Sequence, residues 1–296
     1  MGWDRKQAAN KLEISVHTIK SYELLQRSVP APIEQLMKKI EAEKVVGNGS
    51  VHGAPIRIVG GGTVSHIRNH LALCAPAYGS TAKALLAICQ AHDQNAEMIL
   101  TRMADPSSSI ETSADLENWV KSTVADHNAK IVFWNPAIVD YNGSVGNIQS
   151  GKKADRLKSR EGKQNIEITP AEKLVTMFRE SRKDLFLVAF KTTTNATTDE
   201  QYAAGLSLLK NASANLVLAN DTVTGMNMVI VPEEARYHQT IDREVALAGL
   251  VEMTILRSKN TFTRSRVMSD IGVSWNDEAI PENLKTVFHY CFSKGL

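Results

Sequence analysis

The sequence predicts an α/β protein with a mainly parallel, Rossmann-like sheet, helices on both faces of that sheet, and a small all-α module in front. From Ile56 onward, short apolar runs alternate with amphipathic helical stretches, which is typical of parallel strands joined by helices. Two of these runs end in residues suited to ligand binding, Gly60-Gly61-Gly62-Thr63 and Asn220-Asp221. Open α/β sheets bind ligands at the carboxyl ends of their strands, so both segments are expected at one edge.

The N-terminal part of the chain differs from the rest in its sequence pattern. It is helical in pattern, with Asp4 and Ser15 as expected N-caps, and it ends before the polar stretch Gly47-Asn48-Gly49-Ser50. We therefore predict a helix-turn-helix-like module at residues 1–45, a linker at 46–55 and a nucleotide-binding domain at 56–296.

The elements of the large domain follow from the apolar pattern. Short apolar runs predict strands at Ile56–Val59, Met98–Thr101, Ile131–Trp134, Leu185–Phe190, Leu216–Ala219 and Met228–Val231. Helical periodicity predicts helices at Ser80–His92, Ala114–His127, Ala171–Glu180, Asp199–Ala212 and Arg243–Lys259. Thr112 and Asp115 have the spacing of a capping box at the start of the second helix. The segment from Ala137 to Thr169 shows no clear strand or helix before Ile166.

The composition narrows the class of protein. The 34 Lys and Arg nearly balance the 32 Asp and Glu, so the net charge of +2 does not by itself indicate nucleic-acid or membrane binding. No run approaches the roughly 18 apolar residues of a membrane span, and the start lacks a signal-peptide hydrophobic region. We expect a cytoplasmic protein with no membrane partner. The three cysteines, Cys74, Cys89 and Cys291, lack metal-ligand spacing.

The spacing of Ala9, Ile14 and Ile19 resembles the helix-turn-helix of phage-repressor-like DNA-binding proteins. In such proteins the second helix enters the major groove. That resemblance implies DNA contacts from the second helix, at Ser15, His17, Thr18, Lys20 and Ser21. The alternative is a module that serves only packing or dimerisation.

Three features of the large domain have both a functional and a structural interpretation. Gly60-Gly61-Gly62-Thr63 either directs free backbone N–H groups at a phosphate or forms a strand-ending turn. The loop with Lys152, Lys153, Arg156, Lys158, Arg160 and Lys163 either closes over a polyphosphate or is a solvated surface loop. Asp140, at the root of that loop, either holds Mg²⁺ or forms a turn.

Eight short segments occur in a characteristic order: Gly61-Gly62-Thr63, Arg68, Asp140-Tyr141, Arg156-Leu157-Lys158-Ser159, Thr169-Pro170, Val188-Ala189-Phe190-Lys191, Thr194-Asn195 and Ala219-Asn220-Asp221. This order resembles phosphopantothenoylcysteine synthetase, the phosphopantothenate–cysteine ligase of coenzyme A synthesis, over about Ile56 to Thr263. The resemblance implies a homodimer with its active site at the subunit interface. It also implies that CTP or ATP, with Mg²⁺, activates the carboxylate of a phosphopantothenate-like acid, which the amine of cysteine then attacks. Such a reaction needs charge neutralisation more than a base, and mobile Lys and Arg residues supply it.

The resemblance also implies roles for individual residues. Nucleotide-binding residues are implied at Gly61, Gly62, Thr63, Asp140, Phe190, Lys191, Asn220 and Asp221, with Phe190 against the base. Catalytic residues are implied at Arg156, Lys158 and Asn220, and a metal ligand at Asp140. Substrate-binding residues are implied at Arg68, Gly79 and Ser80.

The chain departs from the family pattern where the substrate would bind. The family has an asparagine followed by Ser-Ser-Gly-Lys or Ser-Ser-Gly-Arg after the arginine, but this chain has Ala72-Leu73-Cys74-Ala75-Pro76-Ala77-Tyr78-Gly79-Ser80. Thr193 replaces an acid that usually follows the phenylalanine strand. The sequence thus predicts a ligase, acting on phosphopantothenate or on a different acid. The alternative is a DNA-binding transcriptional regulator whose α/β domain senses a nucleotide and dimerises, and a third option is a catalytically inactive dimeric scaffold.

Overall fold

A seven-stranded sheet forms the centre of the protein in the computed structural model, which describes the backbone of residues 55–270 and the side chains of residues 55–258. The predicted helix-turn-helix-like module at 1–45 lies outside the described residues, as does the linker except for Pro55. Its DNA contacts therefore stay a prediction. Residues Gly53–Leu256 form one of two compact units of the chain, and the account below concerns that unit.

Eleven strands and five helices build the described part of the chain. The strands are β1 (Ile56–Gly62), β2 (Val64–Arg68), β3 (Leu71–Cys74), β4 (Ala96–Leu100), β5 (Ile131–Ala137), β6 (Tyr141–Ser144), β7 (Glu167–Pro170), β8 (Phe186–Thr193), β9 (Leu216–Asp221), β10 (Asn227–Ile230) and β11 (Arg236–Thr240). The helices are α1 (Ser80–Ala91), α2 (Ser113–Ala125), α3 (Met177–Ser181), α4 (Thr198–Asn211) and α5 (Arg243–Asp270). In this part of the chain, no helix has both the length and the apolar character needed to cross a membrane.

The strand order of the main sheet is β11-β10-β9-β8-β5-β1-β4. The five strands from β9 to β4 are parallel, and β10 and β11 continue the sheet antiparallel at one edge. The prediction of a mainly parallel sheet flanked by helices is confirmed. The order of the parallel strands is that of flavodoxin-like sheets, not the order of the classical dinucleotide-binding fold that the word Rossmann implies.

Helices pack against both faces of the sheet, and its central strands are therefore largely apolar. On one face, Trp134 of β5 stacks on Trp119 of α2 with centroids 6.2 Å apart, and it meets Phe178 of α3 edge-on at 5.1 Å. Gly205 brings α4 onto the same face, since a Cβ there would lie 2.3 Å from Ile230. Helix α1 covers the opposite face, where a Cβ on Gly60 would lie 2.6 Å from that of Ala82.

The predicted strands and four of the five predicted helices are present with shifted ends, and the capping box of Thr112 and Asp115 is confirmed. Only the last part of the helix predicted at Ala171–Glu180 is present, because residues 171–173 are not helical, Leu174–Thr176 form a 3₁₀ turn and the short α3 follows. The segment predicted to lack structure from 137 to 169 contains the paired strands β6 and β7. Two further features were not predicted, the β2–β3 hairpin and the edge strand β11.

Two arginines fix the amino-terminal edge of the sheet. The buried guanidinium of Arg182 donates to both carboxylate oxygens of Asp184, at 2.7 and 2.8 Å, and to the carbonyls of Asp126 and Ala129. Arg179 donates to several loop carbonyls, including that of Leu185 at 2.6 Å. Arg182 holds the pKa of Asp184 below its usual range through their hydrogen bond. The strand starts are thus tied together at the end of the sheet opposite the predicted site.

Candidate functional site

The candidate site is the edge at which the parallel strands end. The chain passes from β1 to its neighbour β4 on one side and from β5 to its neighbour β8 on the other, so the direction of winding changes between β1 and β5. Ligands of open α/β sheets bind at such a switch point. Pairing places Gly62 beside Ala137, Thr192 beside Asn220, and Asn220 beside Asn227. We call this row the carboxyl edge. Its side chains share the face of the sheet that α1 covers.

The glycines of the carboxyl edge are packed against the chain itself. Gly61 has φ +100°, and a Cβ there would lie 2.2 Å from the hydroxyl of Thr101. A Cβ on Gly62 would lie 2.0 Å from the carbonyl oxygen of Ala75. The positive φ and the contact with Thr101 therefore account for glycine at Gly61, and close approach of protein backbone accounts for glycine at Gly62.

The backbone donors of this segment are engaged within the protein. The N–H of Gly62 donates to the carbonyl of Ala77 at 2.8 Å, and that of Thr63 donates to Ala137 at 2.9 Å. The buried hydroxyl of Thr63 accepts from the N–H of Val139 at 2.9 Å. This corrects the expectation that the segment presents free N–H groups to a phosphate, at least for Gly62 and Thr63. Nucleotide binding by these residues stays a prediction.

Helix α1 begins next to the carboxyl edge without a side-chain cap. Its N-cap is Gly79, in the left-handed conformation with φ 76°, and no side chain accepts a hydrogen bond from its first turn. A Cβ on Gly79 would lie 2.9 Å from Leu100, so packing and backbone conformation both favour glycine there. Ser80 is the first residue of the helix. The first turn of an α-helix has N–H groups without intrahelical partners and a positive dipole end, which favour an anion.

Phe190 and Asn220 lie on adjacent strands at this edge. Phe190 pairs with Leu218, two residues before Asn220, so both side chains point to the same face. Phe190 is half-buried, as is the next residue, Lys191. The hydroxyl of Thr192 lies 3.3 Å from the amide oxygen of Asn220. The structure thus brings together two residues of the predicted nucleotide site.

Asp221 has a structural role. Its buried carboxylate accepts hydrogen bonds from four backbone N–H groups, those of Asn195, Ala196, Val223 and Thr224, and from the hydroxyls of Thr193 and Thr224. These bonds, that of Ala196 above all, lower the pKa of Asp221 well below its usual range. The carboxylate joins the loops after β8 and β9, and both of its oxygens already accept hydrogen bonds from the protein.

Arg68, predicted to bind substrate, is buried in this structure. Its guanidinium donates to the carbonyl of Ile67 at 2.7 Å and to the carbonyl of Val145, and Ile148 lies at the limit of hydrogen bonding, 3.5 Å away. The side chain is 1% exposed. Direct substrate contact by Arg68 therefore requires displacement of the 145–148 turn, and in this conformation the residue holds the two hairpins together.

Asp140, predicted to hold Mg²⁺, forms an ion pair with Lys173 at the exposed root of the β6–β7 hairpin. Among residues 55–258, no group of three or more His, Cys, Asp or Glu side chains has the arrangement of a metal site. The described residues do not fit a site that holds Mg²⁺ by itself. In a nucleotide-dependent reaction, Mg²⁺ would arrive with the phosphates of the nucleotide.

The basic loop is anchored at one end and exposed beyond it. Lys152 pairs with Glu111 at 2.5 Å, and His66 and Arg102 approach the same carboxylate at 3.4 and 3.5 Å. The hydrogen bond from Lys152 lowers the pKa of Glu111 below its usual range. The predicted catalytic residues Arg156 and Lys158 follow in the exposed part of the loop. Their catalytic role stays a prediction.

Arg243, at the start of α5, is a residue of the site that the sequence analysis missed. It donates to the amide oxygen of Asn227 at 2.7 Å and to the hydroxyl of Thr81 at 3.4 Å. It therefore connects the carboxyl edge to the first turn of α1. A signal was present in the sequence, because a basic residue at the start of a predicted helix opposes the helix dipole.

No protein-family model matches the sequence, and no curated protein does either. Several solved structures are similar. The DNA/pantothenate metabolism flavoprotein from Streptococcus pneumoniae superposes with a TM-score of 0.58 at 19% identity, over 69% of this chain and 99% of that one. The C-terminal domain of the coenzyme A biosynthesis bifunctional protein CoaBC superposes at 0.54 with 14% identity, over 71% and 97%. A Cab2 mutant in complex with phosphopantothenate-cysteine gives 0.49 at 12% identity, over 83% and 99%. The superpositions on the first two structures, at these low identities, show a shared fold and no more.

Proposed function

We propose that the protein is a nucleotide-dependent ligase that joins a carboxylic acid to the amine of cysteine. The observation that carries this proposal is the carboxyl edge, where the uncapped start of α1 lies on the same face as Phe190 and Asn220. The fold shared with the C-terminal domain of CoaBC, a coenzyme A biosynthesis protein, supports the same function. The acid is phosphopantothenate or a related acid, and the nucleotide is CTP or ATP.

In the proposed reaction, a carboxylate oxygen of the acid attacks the α-phosphorus of the nucleotide and pyrophosphate leaves. The amine of cysteine then attacks the acyl carbon, an amide forms, and the nucleoside monophosphate leaves with the electron pair of the broken C–O bond. Negative charge accumulates on phosphate oxygens in the first step, so fixed donors and cations are the groups that accelerate it.

The residues of the site divide between these tasks. The first turn of α1, from Ser80, offers N–H groups to the phosphates. Phe190 provides a half-buried aromatic surface for the base, and the side-chain amide of Asn220 donates to the nucleotide or to the acyl group. Arg156 and Lys158 supply mobile positive charge from the exposed loop.

The acid substrate is expected to differ from that of the ligase family in part of its structure. The segment before α1 has Tyr78 where the family has a small polar residue, and this side chain is 69% exposed. An exposed aromatic ring beside the start of α1 favours an acid with an apolar or planar group over it.

We also propose that the protein is a homodimer. The β6–β7 hairpin and its connecting loop expose large apolar side chains, with Tyr141, Ile148, Ile166 and Ile168 between 45% and 60% exposed. Several such side chains on one hairpin favour an interface between copies. Light scattering of the full chain tests this, and a monomer at all concentrations would contradict it.

The decisive experiment supplies CTP or ATP with Mg²⁺, 4′-phosphopantothenate and cysteine, and measures release of pyrophosphate. Asn220→Ala should lower turnover by about 100-fold, because a positioned donor to developing charge is lost. Asn211→Ala is the matched control, since Asn211 is an exposed asparagine at the end of α4 that bonds only to Ser207 among the contacts resolved for it. Nucleotide binding without pyrophosphate release, with either nucleotide and with either phosphopantothenate or an analogue that carries an apolar group, would reject the ligase and leave a nucleotide-binding protein.

A further inference from the structure

We infer that Arg243 is the residue of this chain that neutralises the phosphates of the bound nucleotide. This inference rests on the proposed function, and it assigns a residue that lies outside the sequence motifs described above. Three observations carry it: the neutral partners of Arg243, its partial burial, and its place at the start of a helix.

The partners of Arg243 carry no charge. Its guanidinium bonds to the amide oxygen of Asn227 and the hydroxyl of Thr81. Within residues 55–258, no carboxylate lies within ion-pair distance of it; the pairs formed there involve other basic residues. The neighbouring carboxylate of Asp242 accepts from the N–H groups of Glu244 and Val245, at 2.9 and 3.1 Å, and so caps α5.

The site of Arg243 disfavours its charge. Burial lowers the pKa of Arg243 below its usual range, and no nearby carboxylate offsets this effect. The residue is also the first of α5, where the helix dipole is positive. A partly buried cation without a counter-charge costs free energy, and a bound anion would remove that cost.

The position of Arg243 indicates which anion it binds. Thr81 belongs to the uncapped first turn of α1, and Asn227 pairs with Asn220 at the carboxyl edge. The guanidinium therefore lies between the two parts of the proposed nucleotide site. A planar guanidinium binds phosphate oxygens through paired N–H donors, which a backbone N–H alone does not reproduce.

The test measures binding of the mono-, di- and triphosphates of cytidine and adenosine, and of pyrophosphate, by calorimetry on the full chain. Affinity should rise with the number of phosphates in the wild type. Arg243→Gln should weaken triphosphate binding by about 10- to 100-fold, the usual effect of a lost hydrogen bond between charged groups, and monophosphate binding by less. Arg236→Gln is the matched control, because Arg236 lies on β11 and pairs with Asp199.

A second variant keeps the inference testable if Arg243→Gln fails to fold. Thr81→Asp places a carboxylate beside Arg243 in the first turn of α1, where a negative charge stabilises the helix. It should leave the unfolding temperature of the free protein unchanged or higher, and it should weaken triphosphate binding at least 10-fold, because the internal carboxylate competes with phosphate.

The possible results separate the inference from the proposed function. Triphosphate binding by both variants equal to that of Arg236→Gln overturns the inference, whatever the ligase assay shows. Pyrophosphate binding that depends on Arg243, in a protein that releases no pyrophosphate from any nucleotide, supports the inference and rejects the ligase. A wild type that binds neither nucleotide nor pyrophosphate overturns both.

Discussion

Replacement of Gly62 by alanine tests whether the glycine-rich segment is shaped by the fold or by a ligand. An added Cβ would lie 2.0 Å from the carbonyl oxygen of Ala75, 2.6 Å from the sulfur of Met103 and 2.8 Å from the backbone nitrogen of Ala77. Two of these three atoms are backbone, so the segment from 75 to 77 must retreat by about 1 Å to reach even the shortest distance that real Cβ atoms show.

The expected loss of stability follows from these contacts. Overpacking a rigid site costs about 1–3 kcal/mol. Retreat of the segment also weakens the bond from the N–H of Gly62 to Ala77, worth about 1 kcal/mol. We expect Gly62→Ala to lower the free energy of unfolding by about 2–4 kcal/mol. Gly151→Ala is the control, because no atom lies within 4 Å of its added Cβ; its effect should stay below about 1 kcal/mol.

Urea denaturation followed by circular dichroism measures both variants, with unchanged slopes as the sign that the same surface is exposed on unfolding. Equal stability of Gly62→Ala and Gly151→Ala would refute the crowding argument. Gly62 would then be explained better by approach of a ligand than by the packing of residues 75 to 77.

Three further predictions concern buried groups. The folded-state pKa of Asp221 is lowered, so the ionised carboxylate stabilises the fold above the unfolded pKa of about 3.9, and this stabilisation is lost as the pH falls below that value. The free energy of unfolding should therefore fall more steeply from about pH 5 to pH 3 in the wild type than in Asp221→Asn. Parallel plots of the free energy of unfolding against pH for the two proteins would contradict this. Arg182→Met should destabilise by about 3 kcal/mol in urea denaturation, against less than about 0.5 kcal/mol for Lys121→Ala, which breaks a surface pair. Burial raises the pKa of Cys89 to about 12, so peptide mass spectrometry after native alkylation should find the exposed Cys74 modified and Cys89 unmodified, and modified Cys89 would show that this site opens.

The sequence was sufficient for the elements that are buried on two sides. The parallel strands consist largely of apolar residues, with Arg57 in β1 and Glu97 in β4 as charged exceptions, because helices cover both faces of the sheet. The hairpins outside the sheet could not be predicted in this way. All four residues of Glu167–Pro170 are exposed, and strand β11 is a polar edge strand with a bulge, so neither has an apolar pattern to detect.

The candidate site also has a part that the sequence predicted and a part that it did not. The family resemblance assigned Phe190 and Asn220 to one nucleotide site, and pairing of β8 with β9 brings them onto one face of the sheet. The engagement of Gly62 by Ala77 was not predictable, since it depends on where a distant loop packs. Arg243 was missed because its partner Thr81 lies far along the chain, and only the fold brings α5 to the start of α1.

The carboxylate of Asp221 has a consequence for how the rim of the site opens. One side chain receives the amide hydrogens of Asn195 and Ala196 from one loop and those of Val223 and Thr224 from the next. Neither loop can detach without leaving part of that carboxylate unbonded. These four amides therefore belong to a single cooperative opening unit and should show one common free energy of opening in hydrogen exchange, even though they come from separate stretches of the chain.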